Sequence, residues 1–376
     1  MRSIKESKGY VGILVRRTGG AVPFAESAFF RRLSVAGRRI GIKVYVFSPD
    51  WIDWKSRTVR AFAYNHVNKT WIRRSFPLPS VIYDRAFFRT RQQYLWYKSQ
   101  ISKLLSIPGV KLLNLGLTGK WDVYQMLKDD EKIAEALPRT ELYRSHSTAL
   151  SWLNEYGAFV LKPHGGTHGK GVMRVSCVRP GLFEVCGRDG FNRQFRRRFI
   201  RTKDLFQWIA RVTRGRTYLI QQYLQLATDG GIPFDVRALA QKSGDGSWTV
   251  TGTAVRFGPP GSLTSNLHGG GSAGDAIPFL IREYGEEKAA SVLESIHELA
   301  LAIPPVLEQR HGPLVELGID FGIDRLGRVW VLEANSKPGR SSFRRIGDKN
   351  VRVAAVTSPI RYARYVLDRQ LGGHKT

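Results

Sequence analysis

The chain has 376 residues and a formal net charge of +28, from 59 lysines and arginines against 31 acids. Hydrophobic residues make up 42%, enough to fill ordinary cores, so wholesale disorder is excluded, and the length exceeds the roughly 250–300 residues at which a single core stops growing. Two cysteines, Cys177 and Cys186, cannot build a disulfide framework and their spacing fits no zinc site, so a reducing, cytoplasm-like setting is expected.

Residues 10–15 read as a short apolar strand, 24–36 as a helix and 40–47 as a β-rich strand. The first run is too short for a signal-peptide core, and no stretch approaches the roughly 18 apolar residues of a membrane span. Pro77 and Pro79 frame a break before a strand at 81–83. A helix at 89–106 and a strand at 112–115 complete an open α/β domain over residues 1–117. A helix over 120–136 ends at Pro138, and another spans 148–156 with Ser147 as its N-cap. A strand at 158–162 enters a glycine-rich loop at 165–171 and leaves through a strand at 172–175. A helix at 200–212 and a strand at 217–222 follow. Strands at 235–241 and 248–256 flank a turn at 243–246. Residues 258–275 form a long Gly- and Ser-rich loop, of a length that asks for a function. The remainder reads as a helix at 278–310, a hairpin at 315–335 and a helix at 358–371, with no internal repeat.

The strongest local signal is ELGIDFGIDRLGRVWVLEAN, residues 316–335. Leu317, Ile319, Phe321 and Ile323 share one strand face; Gly318, Asp320 and Gly322 share the other. With 324–327 as the turn and residue 323 opposite 328, Asp320 shares a face with Glu333 and Asn335. Trp330, Leu332 and Ala334 then face the core. Three oxygen donors on one patch suit Mg²⁺, which completes its shell with water and phosphate. Gly318 and Gly322 remove side chains where a phosphate chain would approach. A plain solvent-facing hairpin explains the alternation, but not acids flanked by apolar residues and glycine in so basic a chain.

Lys162 ends an apolar strand in FVLKPHGGTHGKG, residues 159–171. A partly desolvated lysine needs an anionic partner. Gly165, Gly166, Thr167, Gly169 and Gly171 lie in a loop whose backbone N–H groups can wrap phosphate oxygens, although such a loop alone is also a flexible hairpin connection. It is neither a Walker A loop nor a Rossmann fingerprint, since no Ser or Thr follows Lys170. The DFG at 320–322 suggests a protein kinase, but a kinase's glycine loop precedes its lysine and no His-Arg-Asp triplet occurs. Further on, the strand at 218–224 ends in Gln221, Gln222 and Leu224, an edge that offers hydrogen bonds to an adenine ring or is simply a core strand. Asp235 and Arg237 share a strand face, Arg256 ends the next strand and Asn266 lies in the long loop. Arginines suit bidentate phosphate or carboxylate binding.

In this order the blocks resemble an ATP-grasp domain, and more narrowly the YheC/YheD family of endospore coat-associated ATP-grasp proteins. The resemblance rests on VYVFSP (44–49), FPLP (76–79), IYDR (82–85), GKW (119–121), residues 159–171, DVR (235–237), SNLHGG (265–270) and residues 317–338. It implies an N-terminal α/β domain (1–117) followed by an ATP-grasp fold of two α+β subdomains, a central one (118–215) with the glycine-rich lid and a C-terminal one (216–376) with the metal-binding hairpin. It implies that Lys120 and Lys162 contact phosphates and that Gln221, Gln222 and Leu224 form the adenine hinge, where many ATP-grasp enzymes carry a glutamate. Asp320, Glu333 and Asn335 would bind Mg²⁺. Arg237, Arg256 and Asn266 would stabilise the transferring phosphoryl group. The implied activity is ATP-dependent ligation of a carboxylate to an amine or thiol through an acyl phosphate, in the cytoplasm or at the spore coat.

Two other functions compete. One is a structural coat protein that keeps the fold, and ATP binding, without turnover. The other is a polyanion or nucleic-acid binder, motivated by the charge but supported by no nucleic-acid motif. The charge is uneven: residues 1–120 carry 23 basic and 5 acidic groups, 188–216 carry 10 and 2, 337–376 carry 10 and 2, while 217–336 carry 8 and 14. The basic regions are expected to draw an acidic peptide or coat-protein partner toward an acidic, metal-loaded centre.

Overall fold

The computed structural model describes residues 9–88, 90–166, 169–263, 265 and 270–372. Three sheets organise them. The first section of chain gives β1 (Tyr10–Leu14), α1 (Ser27–Arg39), β2 (Lys43–Phe47), β3 (Ile52–Asp53), β4 (Thr58–Asn65), β5 (Thr70–Pro77), β6 (Val81–Asp84), α2 (Arg91–Leu105) and β7 (Lys111–Leu112). Strand order is β3-β4-β2-β1-β6-β7, with β5 on β4. β2, β1, β6 and β7 run parallel. Buried on both faces, β1, β2 and β6 read as apolar runs rather than alternations. β4 and β5 make a long antiparallel hairpin, in register from Thr58↔Pro77 to Asn65↔Thr70, where the sequence pattern assigns no element.

The second section gives α3 (Lys120–Leu127), α4 (Glu131–Ala134), β8 (Thr140–Leu142), α5 (His146–Tyr156), β9 (Ala158–Pro163), β10 (Met173–Arg179), β11 (Leu182–Arg188), β12 (Gln194–Phe199), α6 (Thr202–Thr213) and β13 (Tyr218–Gln222). The sheet is antiparallel, in the order β12-β11-β10-β9-β13-β8. The helix expected over 120–136 is two helices, because the Asp130 side chain accepts from Ile133 N (3.1 Å) and starts a new one. Ser145, not Ser147, caps α5, accepting from Thr148 N at 3.3 Å.

The third section gives β14 (Phe234–Lys242), β15 (Trp248–Phe257), β16 (Ser272–Asp275), α7 (Ala276–Tyr284), α8 (Glu286–His311), β17 (Glu316–Ile323), β18 (Val329–Asn335) and α9 (Lys349–Gly372). Strand order is β16-β15-β14-β17-β18. The helix expected over 278–310 breaks at Gly285, whose positive φ no helix accommodates. By length and mean hydropathy α8 is the one helix among the described residues that could cross a membrane. Its Val292, Ile296, Ala300, Ile303 and Leu307 instead pack with Leu317, Ile319 and Phe321 in one core, which also takes Val123 and Leu127 of α3. α9 starts earlier than expected and returns to the first sheet, where Ile360, Ala363, Val366 and Leu367 share the core of β1 and α1.

The hairpin of β17 and β18 keeps Asp320, Glu333 and Asn335 on one face, as expected, but through an unexpected register. Ile323 pairs with Val329, not residue 328, and pairing continues through Phe321↔Val331. A bulge then shifts the ladder so that Asp320 opposes Glu333 and Gly318 opposes Asn335. Leu332 is the extra residue. Val329 and Val331 join Ala334 in the core beneath α8, where Trp330 and Leu332 were expected, and Trp330 is buried on the opposite face. Trp330 stands opposite Gly322 and donates from Nε1 to Asp324 Oδ2 (3.0 Å).

The first residue of β17, Glu316, is fully buried. Its Oε1 accepts from Tyr83 Oη (2.5 Å) and Arg85 Nη1 (3.3 Å); its Oε2 accepts from Gln241 Nε2 (3.0 Å) and from Arg340 Nη2. Arg85 turns its other side to Glu26 (2.7 Å), and Lys337 Nζ meets Asp84 at 2.6 Å. Removing one partner of a buried pair leaves uncompensated charge, so Glu316→Ala is expected to cost about 3–5 kcal/mol. Urea unfolding measures it; a loss below about 1 kcal/mol, the worth of an exposed pair, would show that the carboxylate is not an anchor.

Candidate functional site

Between the second and third sheets lies a cleft of about 390 Å³. Its floor on one side is the inner face of the second sheet. β9 contributes Val160 and Lys162, and the following loop contributes Gly165, Gly166 and Gly169. The end of β13 supplies Gln221 and Gln222, and the chain leaving it supplies Leu224. The third sheet faces them with Asp235, Arg256, Asp320, Leu332 and Glu333.

Lys162 sits where β9 alternates inward, opposite Leu219 of β13. Burial, with the charge of Lys120 beside it, pulls its ammonium down to about 8, against the opposing attraction of Glu333. No hydrogen bond or ion pair among the described residues engages its Nζ. Lys120 opens α3 and bridges the cleft: its Nζ meets Glu333 Oε1 (3.1 Å) and donates to the Gly166 carbonyl (3.0 Å). The GKW turn is placed by contact with the glycine loop. Lys120 N donates to His164 O (3.0 Å), and a Cβ on Gly119 would lie 2.0 Å from the His164 ring, so no larger residue fits there.

The acids of the third sheet are already paired. Asp235 opposes Arg256 and Arg237 opposes Asp320 across neighbouring strands. Arg256 donates to Asp235 through Nε (2.6 Å) and Nη2 (2.8 Å), and its Nη2 also reaches Asp320 Oδ2 (2.9 Å). Arg237 donates to Asp320 Oδ2 at 2.8 Å and to Oδ1 through Nε. Ser265 donates to Asp235. The result is an alternating row, Asp235–Arg256–Asp320–Arg237, nearly out of solvent. Burial tends to raise the Asp320 carboxyl, but Arg237 and Arg256 outweigh it and hold it below the ordinary range. Asp235 is pushed up, first by burial and then by the Asp320 charge, against the pull of Arg256.

Of the residues singled out from sequence, the cleft gathers Lys120, Lys162, Gly165, Gly166, Gly169, Gln221, Gln222, Leu224, Arg256, Asp320 and Glu333. Arg237 stands behind Asp320, and Gly171 behind the loop, where its N–H donates to Arg188 O (3.0 Å). Asn335 lies on the face of Asp320 and Glu333, one pair further along. Thr167 and Asn266 lie outside the described residues. Gln221 spends its side-chain Nε2 on Thr140 Oγ1 (2.7 Å). The spaces above Gly318 and Gly322 are taken by protein: a Cβ there would lie 2.9 Å from Arg237 Nη1 and 2.5 Å from Leu226 Cδ1 respectively. They make room for neighbouring side chains, not for phosphates. Sequence reasoning missed Arg174 and Cys186 and read Arg196 only as part of a basic partner-binding segment; all three extend the same floor. Pairing puts Val160, Arg174, Cys186 and Arg196 in one cross-strand row. The polar position 174 between apolar Met173 and Val175 is the signal that could have found it.

Among the described residues no group of three or more His, Cys, Asp or Glu could hold a metal ion. Any divalent ion would rest on two carboxylates, Asp320 and Glu333, with the Asn335 amide and oxygens of a ligand. That all-oxygen set fits Mg²⁺, provided an arginine contact to Asp320 gives way.

The profile of one protein family, described as YheC/D like ATP-grasp, matches residues 109–366. The chain is 28% identical over 349 residues to the endospore coat-associated protein YheC of Bacillus subtilis (strain 168), covering 92% of this chain and 94% of the relative. It is 29% identical over 355 residues to YheD of the same organism, covering 93% and 76%. The ATP-grasp ligase PsnB, solved with a minimal precursor, Mg and ADP, shares the fold at 14% identity and a TM-score of 0.53, over 98% of this chain and all of that one.

The depressed Lys162 ammonium is open to direct test. Below about pH 8 it is protonated and unreactive; above it the free amine appears while exposed lysines remain charged to roughly 10.4. Competitive acetylation followed by mass spectrometry should give a midpoint near 8 for Lys162. A midpoint with the exposed lysines would show that it is solvated.

Proposed function

The chain belongs to the YheC/D like ATP-grasp family, and on that premise we propose that it is an ATP- and Mg²⁺-dependent ligase that joins a carboxylate to an amine or thiol. The observation that carries this reading is the lysine pair: Lys162, without a partner of its own among the described residues, faces the cleft beside Lys120, under a glycine loop. Phosphate oxygens would complete both lysines. Gly165, Gly166, Thr167, Gly169 and Gly171 belong to the loop that would close over them. Gln221, Gln222 and Leu224 would receive the adenine ring, mainly through backbone groups, since Gln221 has committed its amide to Thr140.

Asp320, Glu333 and Asn335 would hold Mg²⁺, which supplies charge neutralisation on the β- and γ-phosphates when bound. Arg256, Arg237 and Asn266 would neutralise charge on the group in transfer. A substrate carboxylate oxygen attacks the γ-phosphorus and ADP leaves. The amine or thiol then attacks the acyl carbon, phosphate leaves, and the nucleophile's proton goes to solvent. Positioning and charge carry such a reaction without a protein nucleophile. Residues 1–117, 118–215 and 216–376 would be the N-terminal, central and C-terminal units, with β13 of the last returning to the central sheet. We assign the chain to the cytoplasm and the spore coat; the names of the two relatives support the coat, and a coat protein is the partner this suggests.

One observation favours a second reading, nucleotide binding without turnover: Asp320 is held by two arginines where a metal ligand is required. ADP release in the presence of carboxylate and amine pools separates the two. Asp320→Ala and Glu333→Ala are each expected to lower turnover by roughly 100-fold or more, the scale of losing one group that stabilises transition-state charge. Lys162→Met should weaken ADP binding at pH 7 in calorimetry. Unchanged turnover in both carboxylate variants would remove the metal assignment.

A further inference from the structure

β12 is the edge of the second sheet: it pairs with β11 alone, so the other rim of its backbone has no strand partner among the described residues. An exposed edge is a template for another chain. Its chemistry is unusual. Residues 188–201 hold six arginines and one acid, Asp189, and that acid is turned back on its own loop, accepting from Phe191 N and Arg193 N (both 2.9 Å). The strand is bracketed by two large apolar residues in solvent, Phe191 (81% exposed) and Ile200 (76%).

The two faces of β12 differ. Phe195, Arg197 and Phe199 turn toward α6, where Trp208 packs against both phenylalanines and lies under the Arg197 guanidinium. Arg196 and Arg198 turn the other way, opposite Cys186 and Glu184. Glu184 is shared by three arginines, Arg198 (3.3 Å), Arg174 (3.4 Å) and Arg196 (4.0 Å), leaving two positive charges in surplus. The side chains of Arg196 and Arg198 remain 61% and 64% exposed. Arg196 also lines the cleft, at the end of the row that starts at Val160.

We propose that the free edge of β12 is a docking site for an extended acidic segment of a partner polypeptide, which adds to the sheet as a further strand beside the mouth of the cleft. Backbone pairing supplies affinity, and alternate acidic side chains meet Arg196 and Arg198. The same charge rejects the commonest wrong occupant: a second copy of β12 would set arginine against arginine. The surface borders the cleft at Arg196, but strand addition needs no nucleotide turnover, so it holds whether or not the cleft turns ATP over.

The probe is a fluorescent dodecapeptide of alternating Glu and Thr, titrated against the full chain without nucleotide and read by anisotropy. Wild type should bind it. Arg198→Glu should weaken binding at least tenfold, and Arg198→Ala by less, with circular dichroism and melting temperature confirming that both variants fold. N-methylation of alternate residues keeps the peptide's charge and blocks strand pairing, so it should also weaken binding at least tenfold. Equal binding of the methylated peptide would overturn strand addition. Tighter binding of a single-stranded oligonucleotide of equal charge at the same salt would overturn the choice of an acidic polypeptide. No binding by the folded wild type would overturn the site, and ADP affinity measured alongside shows independently whether the nucleotide reading stands.

Discussion

The buried carboxylate of Glu316 fixes how the first sheet meets the third. Four donors converge on its two oxygens, from the end of β6, from β14 and from the turn after β18. Taking a carboxylate and two guanidiniums out of water costs several kcal/mol per ion, and only near-complete pairing offsets it. Here the offset needs groups from three separate stretches of chain at once. The contacts therefore bind cooperatively, and they set the start of β17. Asp320 lies four residues further along the same strand, so the position of the cleft's acids follows from a junction remote from the cleft.

The bulge at Leu332 is the second constraint. With Ile323 opposite Val329, an unbroken ladder would bring Leu332 opposite Asp320 and turn Glu333 into the core. One extra residue restores Glu333 to the side of Asp320 and leaves Leu332 as a wall of the cleft. A local irregularity thus produces the grouping of Asp320, Glu333 and Asn335. The expected turn of four residues reached the same grouping from a register that does not occur.

Much of the fold was legible because it rests on local pattern. β1, β2, β9 and β17 are short apolar runs with clear ends, and the glycine loop, the GKW turn and the hairpin lie where spacing put them. β4 and β5 were not legible. Their turn lacks the Asn-Gly or Asp-Gly signal, with Lys69 itself in the left-handed region, and β5 is largely exposed. Helix breaks at Asp130 and Gly285 were hidden inside charged, periodic stretches. The pairing of the acids was beyond sequence for a different reason. Asp235 meets Arg256, and Arg237 meets Asp320, only because β14 lies between β15 and β17, and strand order is a tertiary fact.

That pairing also changes the electrostatics. Residues 217–336 carry an excess of acid, and a reading of charge along the chain makes the cleft an acidic centre. In the fold, Asp235 and Asp320 are neutralised within their sheet by Arg256 and Arg237, and Glu316 by arginines from outside it. Glu333 alone among the cleft's acids reaches toward the opposite wall, and Lys120 holds it. On the facing wall stand Lys162 and Lys170, with Arg174 and Arg196 sharing the single carboxylate of Glu184. A low-dielectric cleft with that balance attracts anions without help from the distant basic regions. By the same balance, a cation would enter such a cleft favourably only in company with an anion that covers the lysines.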